Sequence, residues 1–375
     1  MAALAPTSQT LFGSRLLQQL LQRKQENVFV SPASVGLALG MVAAGAHGKT
    51  LAAFEDALGV DGKRAASQAK QLFASLDTLP PGVVVELANS LWVRSGLPLS
   101  ARYTDAMREG YRAEVRSLDF ASQGATQLVN DWVSGATHGQ IQSAVDQMDP
   151  SSILALVNAT YFNGLWEESF DPEGTLDWEF TTGFGGVTKV RLMLASGSFS
   201  YMRDRDLQAV LVPYKQGRFS LLVVLPHESL APAAFHDIAA SSSLTRILAG
   251  LRTRRGSIGL PKVGIAYSAN LVPELLEMGL GPAFTEDADF SDVFEGDLPA
   301  FISTVSHKTR LEIDEQGTTA AASTFIGMTL SASLTITPDT PFEMYVERPF
   351  LVAVIDGETD LILFVGVIGD PTPSE

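Results

Sequence analysis

The 375-residue sequence contains no cysteine. This absence excludes disulfide bridges, a cysteine nucleophile and thiolate metal sites, although it does not identify a cellular compartment. Long apolar helices are also missing. The segment 32–46 is apolar on every side but has only 15 residues, whereas a helix that spans a bilayer needs about 20. We therefore expect this segment to be a helix buried inside a large core.

Basic residues are outnumbered by acidic ones. The chain has 26 Lys and Arg against 42 Asp and Glu, a formal net charge of −16 and a pI near 4.7. On average, such a chain repels phosphate backbones and anionic membrane surfaces. The composition therefore argues against nucleic-acid and membrane partners.

No leader sequence is visible at the start of the chain. Residues 1–10 have neither a basic start nor an apolar core followed by a small-residue cleavage site. We expect no signal peptide in this chain, which leaves two locations open: the cytoplasm, or secretion after processing.

Catalytic motifs are also absent. There is no Gly-x-Ser-x-Gly elbow, and His227-Glu228 lacks the second histidine of a zinc motif. Gly48-Lys49-Thr50 ends like a phosphate-binding loop, but Ala43 stands where that loop requires its first glycine. We expect a turn between two helices there, no metal or cofactor, and no enzyme activity. A nucleotide-binding enzyme remains the remote alternative.

The organisation of the chain favours one domain. Its 46% hydrophobic content can build a large core, and length alone allows one large domain or two ordinary ones. We find no internal repeat and no linker rich in Pro, Gly or Ser, which favours a single domain over residues 1–375. Strands are predicted at 83–93, 153–164 and 301–313; the second is apolar on both faces, as expected at the centre of a sheet.

The segment that follows the last of these strands has an unusual composition. From Gly317 to Ser331 it has neither a charge nor a proline, and it has no helical spacing, so we expect an exposed loop. The same residues could also enter the middle of a sheet, because no charge would be buried and no N–H is missing. Composition alone would favour a flexible linker.

Motifs along nearly the whole chain resemble those of one family. Glu315-Gln316-Gly317-Thr318-Thr319-Ala320-Ala321-Ala322 resembles the proximal hinge of the serpins, and Arg348-Pro349-Phe350 resembles their distal anchor. Asn158-Ala159-Thr160-Tyr161-Phe162-Asn163-Gly164, followed by Trp166, resembles another serpin signature. The resemblance implies an α+β fold with three mainly antiparallel sheets and about eight or nine helices. It also implies an exposed reactive-centre loop at about 315–345 and a short tail at 370–375.

The resemblance further implies a function. Inhibitory serpins are suicide substrates: a serine protease cleaves the loop, becomes trapped as an acyl-enzyme, and the loop enters the central sheet as a strand. The expected partner is therefore a serine protease, bound covalently by a monomer that is metastable until it is cut. The missing cysteines and leader favour a prokaryotic member. A non-inhibitory serpin acting as chaperone or carrier is the alternative.

Heparin binding is disfavoured for this chain. In some serpins a basic helix near 63–76 binds heparin, but here that stretch carries only Lys63, Arg64 and Lys70 within an acidic chain.

The cleaved bond is placed by counting along the loop. Seventeen positions from Glu315 give Ser331-Ala332, whereas a shift of one gives Leu330-Ser331, the better protease substrate. No Lys or Arg lies nearby, so the expected target is chymotrypsin-, elastase- or subtilisin-like.

The resemblance also assigns roles to individual residues. In the hinge, small side chains would enter the sheet first, and Glu315 would pair with Lys262. His307 would hydrogen-bond across the sheet to Asn158. The hinge residues are Glu315, Gly317, Thr318, Ala320 and Ala322. The residues beneath and above the sheet opening, called shutter and breach in serpins, are Ser31, Ser34, Asn158, Trp166, His307 and Lys262.

Overall fold

The computed structural model describes residues 7–23, 25–228, 234–296, 299–318 and 340–373. Helices precede, separate and cover the strands of two hydrogen-bonded sheets. The described helices are α1 (Ser8–Leu21), α2 (Pro32–Ala43), α3 (Gly48–Leu58), α4 (Gly62–Leu76), α5 (Ala101–Tyr111), α6 (Ala125–Ala136), α7 (Ala234–Ile238), α8 (Ser241–Gly250) and α9 (Val272–Leu275). The described strands are β1 (Asn27–Val30), β2 (Val83–Arg94), β3 (Glu114–Leu118), β4 (Leu154–Leu165), β5 (Leu176–Thr181), β6 (Val187–Arg203), β7 (Leu207–Pro213), β8 (Phe219–Pro226), β9 (Arg252–Pro261), β10 (Val263–Asn270), β11 (Ile302–Ile313), β12 (Gly317–Thr318), β13 (Phe342–Tyr345), β14 (Phe350–Asp356) and β15 (Leu361–Ile368).

The larger sheet has nine strands in the described chain. Its order is β1-β15-β14-β8-β7-β6-β9-β13, and β5 pairs with β6. The long strand β6 pairs with β7 only at its end, over residues 200–203, and with β9 over residues 192–201. Strand β6 therefore connects the strands on its β7 side to those on its β9 side. For this reason the described residues form two hydrogen-bonded sheets, where three were expected. The predicted α+β fold is confirmed.

The smaller sheet has six described strands in the order β10-β11-β12-β4-β2-β3. Strands β11 and β4 pair in parallel from Ile302 opposite Leu154 to Thr309 opposite Thr160. Above Thr309 the short strand β12 lies between them. The sheet is therefore closed at one end and open as a wedge at the other.

The predicted apolar helix is α2, and it lies in the core. Ser31 caps it by accepting a hydrogen bond from the Ser34 amide, and Pro32 occupies the first turn, where no N–H is needed. Nearly every residue of α2 is buried. Within the described residues, no helix combines the length and apolar character that crossing a membrane requires.

Both faces of the smaller sheet are covered. One face packs on α2, and the other packs on α6 through a separate cluster that includes Trp92, Val129 and Val157. Strand β4 is almost wholly buried as a result, as its two-sided apolar pattern predicts.

The turn expected at Gly48-Lys49-Thr50 lies slightly earlier in the chain. Residues 44–47 connect α2 to α3, whereas Gly48, Lys49 and Thr50 form the first turn of α3. Thr50 is buried, and its hydroxyl accepts a hydrogen bond from the Asp289 amide. Helix α9 ends at Leu275, and a wider helical turn follows over Leu276–Leu280. Gly279 in this turn has a φ of 94°, a conformation that glycine tolerates.

A buried ion pair ties the larger sheet to α4. Arg218 is 9% exposed and Asp356 is 1% exposed. Their nearest nitrogen and oxygen are 2.8 Å apart, and Arg218 also donates to the Ser75 carbonyl at 3.0 Å. The hydrogen bond to Asp356 raises the pKa of Arg218 and outweighs burial.

Replacing Asp356 with alanine should lower the free energy of unfolding by about 3 kcal/mol, because the buried guanidinium loses its buried counter-charge and keeps only the exposed Glu358. Urea unfolding of the parent and D356A measures the difference. The matched control is Asp206→Ala, which removes the exposed pair with Arg205 and should change the stability by less than about 1 kcal/mol. Equal losses in the two variants would contradict the assignment.

Candidate functional site

The wedge between β4 and β11 holds the first residues of the loop. Thr318 pairs with Gly164 on one side and with Ile313 on the other, and Gly317 lies opposite Leu165. A Cβ atom at Gly317 would lie 2.1 Å from the Gly164 carbonyl oxygen. Only glycine therefore allows the chain to approach the strand this closely.

Thr318 is buried in the wedge, with 1% of its surface exposed. Its hydroxyl lies 2.7 Å from the Tyr214 hydroxyl, and the Tyr214 ring stacks on Trp166 with centroids 4.6 Å apart. The expectation that the whole loop is exposed is therefore wrong for Gly317 and Thr318. Pairing with two strands satisfies their backbone groups, so these residues need no water.

A tight turn delivers the chain into the wedge. The Asp314 carboxylate accepts the amides of Gln316 and Gly317, and the Gly317 carbonyl accepts the Asp314 amide at 2.9 Å. The Trp166 indole donates to the Asp314 carbonyl at 2.9 Å. This turn reverses the chain between β11 and β12 and so sets the register of Thr318.

Glu315 forms the expected ion pair with Lys262. The two side chains are 2.8 Å apart, and the Thr175 hydroxyl donates to the other Glu315 oxygen at 2.9 Å. Partial burial raises the pKa of Glu315, but the hydrogen bonds from Lys262 and Thr175 and its own backbone outweigh burial, so the pKa is lowered. We name Trp166, Tyr214, Lys262, Glu315 and Thr318 the entry cluster.

A second group lies lower in the sheet, where β4 and β11 still pair. His307 is fully buried opposite Asn158, and the two side chains are hydrogen-bonded, as predicted. Asn158 also donates to Ser34 and to Asn89, and His307 Nε2 accepts the Ser31 amide at 3.0 Å. We name Ser31, Ser34, Asn89, Asn158 and His307 the histidine cluster.

The cluster fixes the protonation state of His307. Because Nε2 accepts a backbone N–H, the single ring proton must sit on Nδ1 and be donated to the Asn158 oxygen. Burial lowers the pKa of His307 to about 3. The imidazole is therefore neutral at physiological pH.

Three histidines elsewhere in the chain lie in more exposed surroundings. His47, His138 and His236 each contact a nearby carboxylate with much of their surface exposed. Across the described residues, no group of three or more His, Asp or Glu side chains is arranged to hold a metal ion.

Several predicted site residues lie outside the described part of the chain. They are Ala320 and Ala322 of the hinge, and Leu330, Ser331 and Ala332 of the reactive bond. Beyond them, Arg348 donates to the Pro226 carbonyl at 2.9 Å, which anchors the far end of the loop beside β8.

A protein-family model described as "Serpin (serine protease inhibitor)" matches residues 7–371. The chain is a serpin. Iripin-8 from Ixodes ricinus is 34% identical to it, over 95% of this chain and 91% of that protein. An uncharacterized serpin-like protein of Thermococcus kodakarensis is 32% identical, over 95% of this chain and 83% of that protein.

Solved structures agree with this assignment. Tengpin, a thermophilic serpin solved in its native state, superposes with a TM-score of 0.88 at 26% identity, covering 97% of this chain and 93% of its own. Human thyroxine-binding globulin also gives a TM-score of 0.88, at 25% identity, covering 97% and 98%. The family comprises protease inhibitors in general, but the name of this second protein says that it binds thyroxine.

Sequence reasoning missed several residues of the serpin's site. Tyr214, Asn89 and Thr175 contact the predicted residues directly, yet each lies more than 60 positions away along the chain. The sequence places Tyr214 directly after the strand pattern of β7, but this position does not indicate that its hydroxyl contacts Thr318.

The buried histidine makes stability depend on pH. An unfolded histidine titrates near 6.5, so the unfolded chain binds an extra proton between pH 6.5 and about 3. The contribution of neutral His307 to the free energy of unfolding is fully present above pH 6.5 and is lost as the pH falls below that value. His307→Gln removes the titration, so the stability advantage of the parent should shrink by about 2 kcal/mol from pH 7 to pH 5.

Urea unfolding of both proteins at the two pH values measures this change. Parallel pH profiles for the parent and H307Q would mean that His307 is not held neutral in the folded serpin.

Proposed function

We propose that this serpin inhibits chymotrypsin-, elastase- or subtilisin-like serine proteases as a suicide substrate. The observation that carries the proposal is the wedge: Gly317 and Thr318 are already paired between β4 and β11. The residues that follow, as far as Ser331, have no charge or proline that would prevent the same pairing. We further propose that the serpin acts as a monomer in which residues 1–375 form one domain.

The covalent step follows ordinary serine-protease chemistry. The protease serine attacks the carbonyl carbon of Leu330 or Ser331, and the protease histidine passes the serine proton to the leaving amine. The loop is then bonded to the protease as an ester and severed from the following residue. Either position presents an apolar or small side chain to the specificity pocket.

Insertion of the cut loop is proposed to continue from Thr318 downward. An additional strand must part β4 from β11 by about 4.8 Å along their paired length. The Asn158–His307 hydrogen bond joins these two strands and would have to be replaced. The trapped ester would travel with the loop before water could hydrolyse it.

The energetic drive would come from the strand ladder. The backbone N–H and C=O groups of each inserted residue would pair with β4 on one side or β11 on the other. The buried backbone groups of β4 and β11 would therefore keep hydrogen-bond partners. Small residues fit because both faces of this sheet are covered, by α2 and α6. A charged or bulky side chain at an inward position would oppose insertion.

A carrier or chaperone function is the second candidate. The observation that favours it is the equally close fold match to thyroxine-binding globulin. In that case no further residues would insert into the wedge after the loop is cut, and cleavage would not trap a protease.

Mixing with chymotrypsin separates these candidates. Inhibition predicts a band at the summed mass that survives denaturing electrophoresis, together with a released C-terminal fragment. The mass of that fragment identifies the cleaved bond as Leu330-Ser331 or Ser331-Ala332. Complete cleavage without such a band, repeated with elastase and subtilisin, would contradict inhibition and favour the carrier.

Thr318→Arg should convert the inhibitor into a substrate. The guanidinium would replace a side chain that is 1% exposed and would have no buried counter-charge in the wedge, so insertion should stall. The number of serpin molecules consumed for each chymotrypsin molecule inhibited should rise at least tenfold, measured by titration of residual activity.

The matched control is Gln316→Arg, two residues earlier in the same turn. Gln316 is exposed, so an arginine there stays in water and the stoichiometry should remain that of the parent. Equal stoichiometries for T318R and the parent would rule out insertion through this position.

A further inference from the structure

Positive charge is concentrated in one stretch of this acidic chain. Residues 203–255 contain 8 of the 26 Lys and Arg but only 4 of the 42 Asp and Glu, which gives this stretch a formal charge of +4. The rest of the chain therefore carries −20. Such a separation creates a local positive potential that the net charge of the whole chain conceals.

Four exposed arginines of this stretch lie together at one end of the larger sheet. Arg252, Arg254 and Arg255 lie in the first half of β9, and Arg203 ends the neighbouring strand β6. Tyr201 lies opposite Arg252, so Arg203 is on the same face of the sheet as Arg252. Burial raises the pKa of Tyr201, and the charges of Arg203 and Arg254 oppose that rise because they lie near its hydroxyl. We name these four arginines the arginine strip.

The carboxylates closest in sequence to the arginine strip are held by other residues. Asp204 and Asp206, in the turn after β6, pair with Arg246 and Arg205. Arg252 donates to two backbone carbonyls rather than to a carboxylate. The arginine strip can therefore offer exposed positive charge to an anionic partner.

The arginine strip lies where the loop rejoins the sheet. Gly256 of β9 pairs in parallel with Phe342 of β13, so Arg255 lies beside the chain that enters β13. Eleven residues separate Ser331 from Phe342, a span of at most about 40 Å when fully extended. A protease domain is itself roughly 40 Å across. An enzyme that binds the proposed cleavage site is therefore within reach of the arginine strip.

We propose that the arginine strip is a docking surface for the target protease, and that it favours a serine protease with acidic side chains on the face that binds residues after the cut. Opposite charges would steer the enzyme toward the loop and orient it there. This inference rests on the proposed function for the position of the cut. It adds to the target a requirement for surface charge, which residues 330–332 do not supply.

A sulfate or phosphate polymer would be a different partner for the same charges. A long polyanion on the arginine strip would also lie close to the remainder of the chain, whose charge of −20 would repel it. A protease, in contrast, is brought to the arginine strip by the loop that it cuts. The position of the arginines therefore favours a protein partner.

The test uses chymotrypsin in two chemically modified forms. Succinic anhydride replaces the positive charges of surface lysines with carboxylates, whereas acetic anhydride only removes those charges. The measurement is the second-order rate constant for loss of the intact serpin chain at low ionic strength, which counts trapping and simple cleavage alike. Arg252→Glu combined with Arg255→Glu should slow the reaction with the succinylated enzyme about tenfold, and the reaction with the acetylated enzyme by no more than about threefold.

The matched control is Arg64→Glu combined with Arg102→Glu, which changes the net charge equally at exposed residues of α4 and α5. This control should react with both enzymes within about twofold of the parent. Arg252→Gln combined with Arg255→Gln should give rates between those of the parent and of the R252E/R255E variant. About 0.5 M NaCl should bring all of these rates together, because salt screens exposed charges.

Equal rates for the parent and R252E/R255E with succinylated chymotrypsin would overturn the docking surface. Loss of binding to long-chain polyphosphate in R252E/R255E, without any change in the protease rates, would also overturn it, because the arginine strip would then recognise a polyanion. The stoichiometry of inhibition is measured separately. If the parent is cut without trapping the enzyme while its rates still depend on the arginine strip, the proposed inhibition fails and the docking surface stands.

Discussion

The incomplete pairing of β4 and β11 is the constraint on which the rest of this structure depends. The two strands share a parallel ladder as far as Thr309 and Thr160 and then diverge, which leaves backbone groups that need partners. Gly317 and Thr318 supply those partners. The turn at Asp314, the Glu315–Lys262 pair and the stacked Trp166 and Tyr214 all hold these two residues at the mouth of the wedge.

The histidine cluster gives the wedge its closed end. His307 and Asn158 belong to the two strands that would part, while Ser31 and Ser34 belong to the start of α2 beneath them. A neutral imidazole is suited to this place, because it can donate and accept at once and carries no charge into the core. Opening the sheet and disturbing α2 are therefore coupled through the same few hydrogen bonds.

Much of this arrangement could be predicted from the sequence, for identifiable reasons. The two-sided apolar pattern of β4 and the capped apolar helix at Ser31 are local signals, and both elements form as expected. The ion pair of Glu315 and the partner of His307 followed from family motifs. No local signal at Tyr214 or Asn89 indicates a partner, since their contacts arise only where distant segments of the chain meet. The burial of Thr318 could not be predicted from composition. The composition of the segment indicates that it is flexible, but it carries no information about the space between β4 and β11 that Thr318 occupies.

We therefore propose that the intact serpin holds only the first two residues, Gly317 and Thr318, of a strand that can be completed between β4 and β11. Cutting the loop with a small amount of chymotrypsin and comparing thermal unfolding of the cut and intact chains tests this most directly. We expect the cut chain to unfold at a much higher temperature than the intact chain, because the cut loop completes this strand between β4 and β11. An unchanged or lower unfolding temperature after complete cleavage would contradict it.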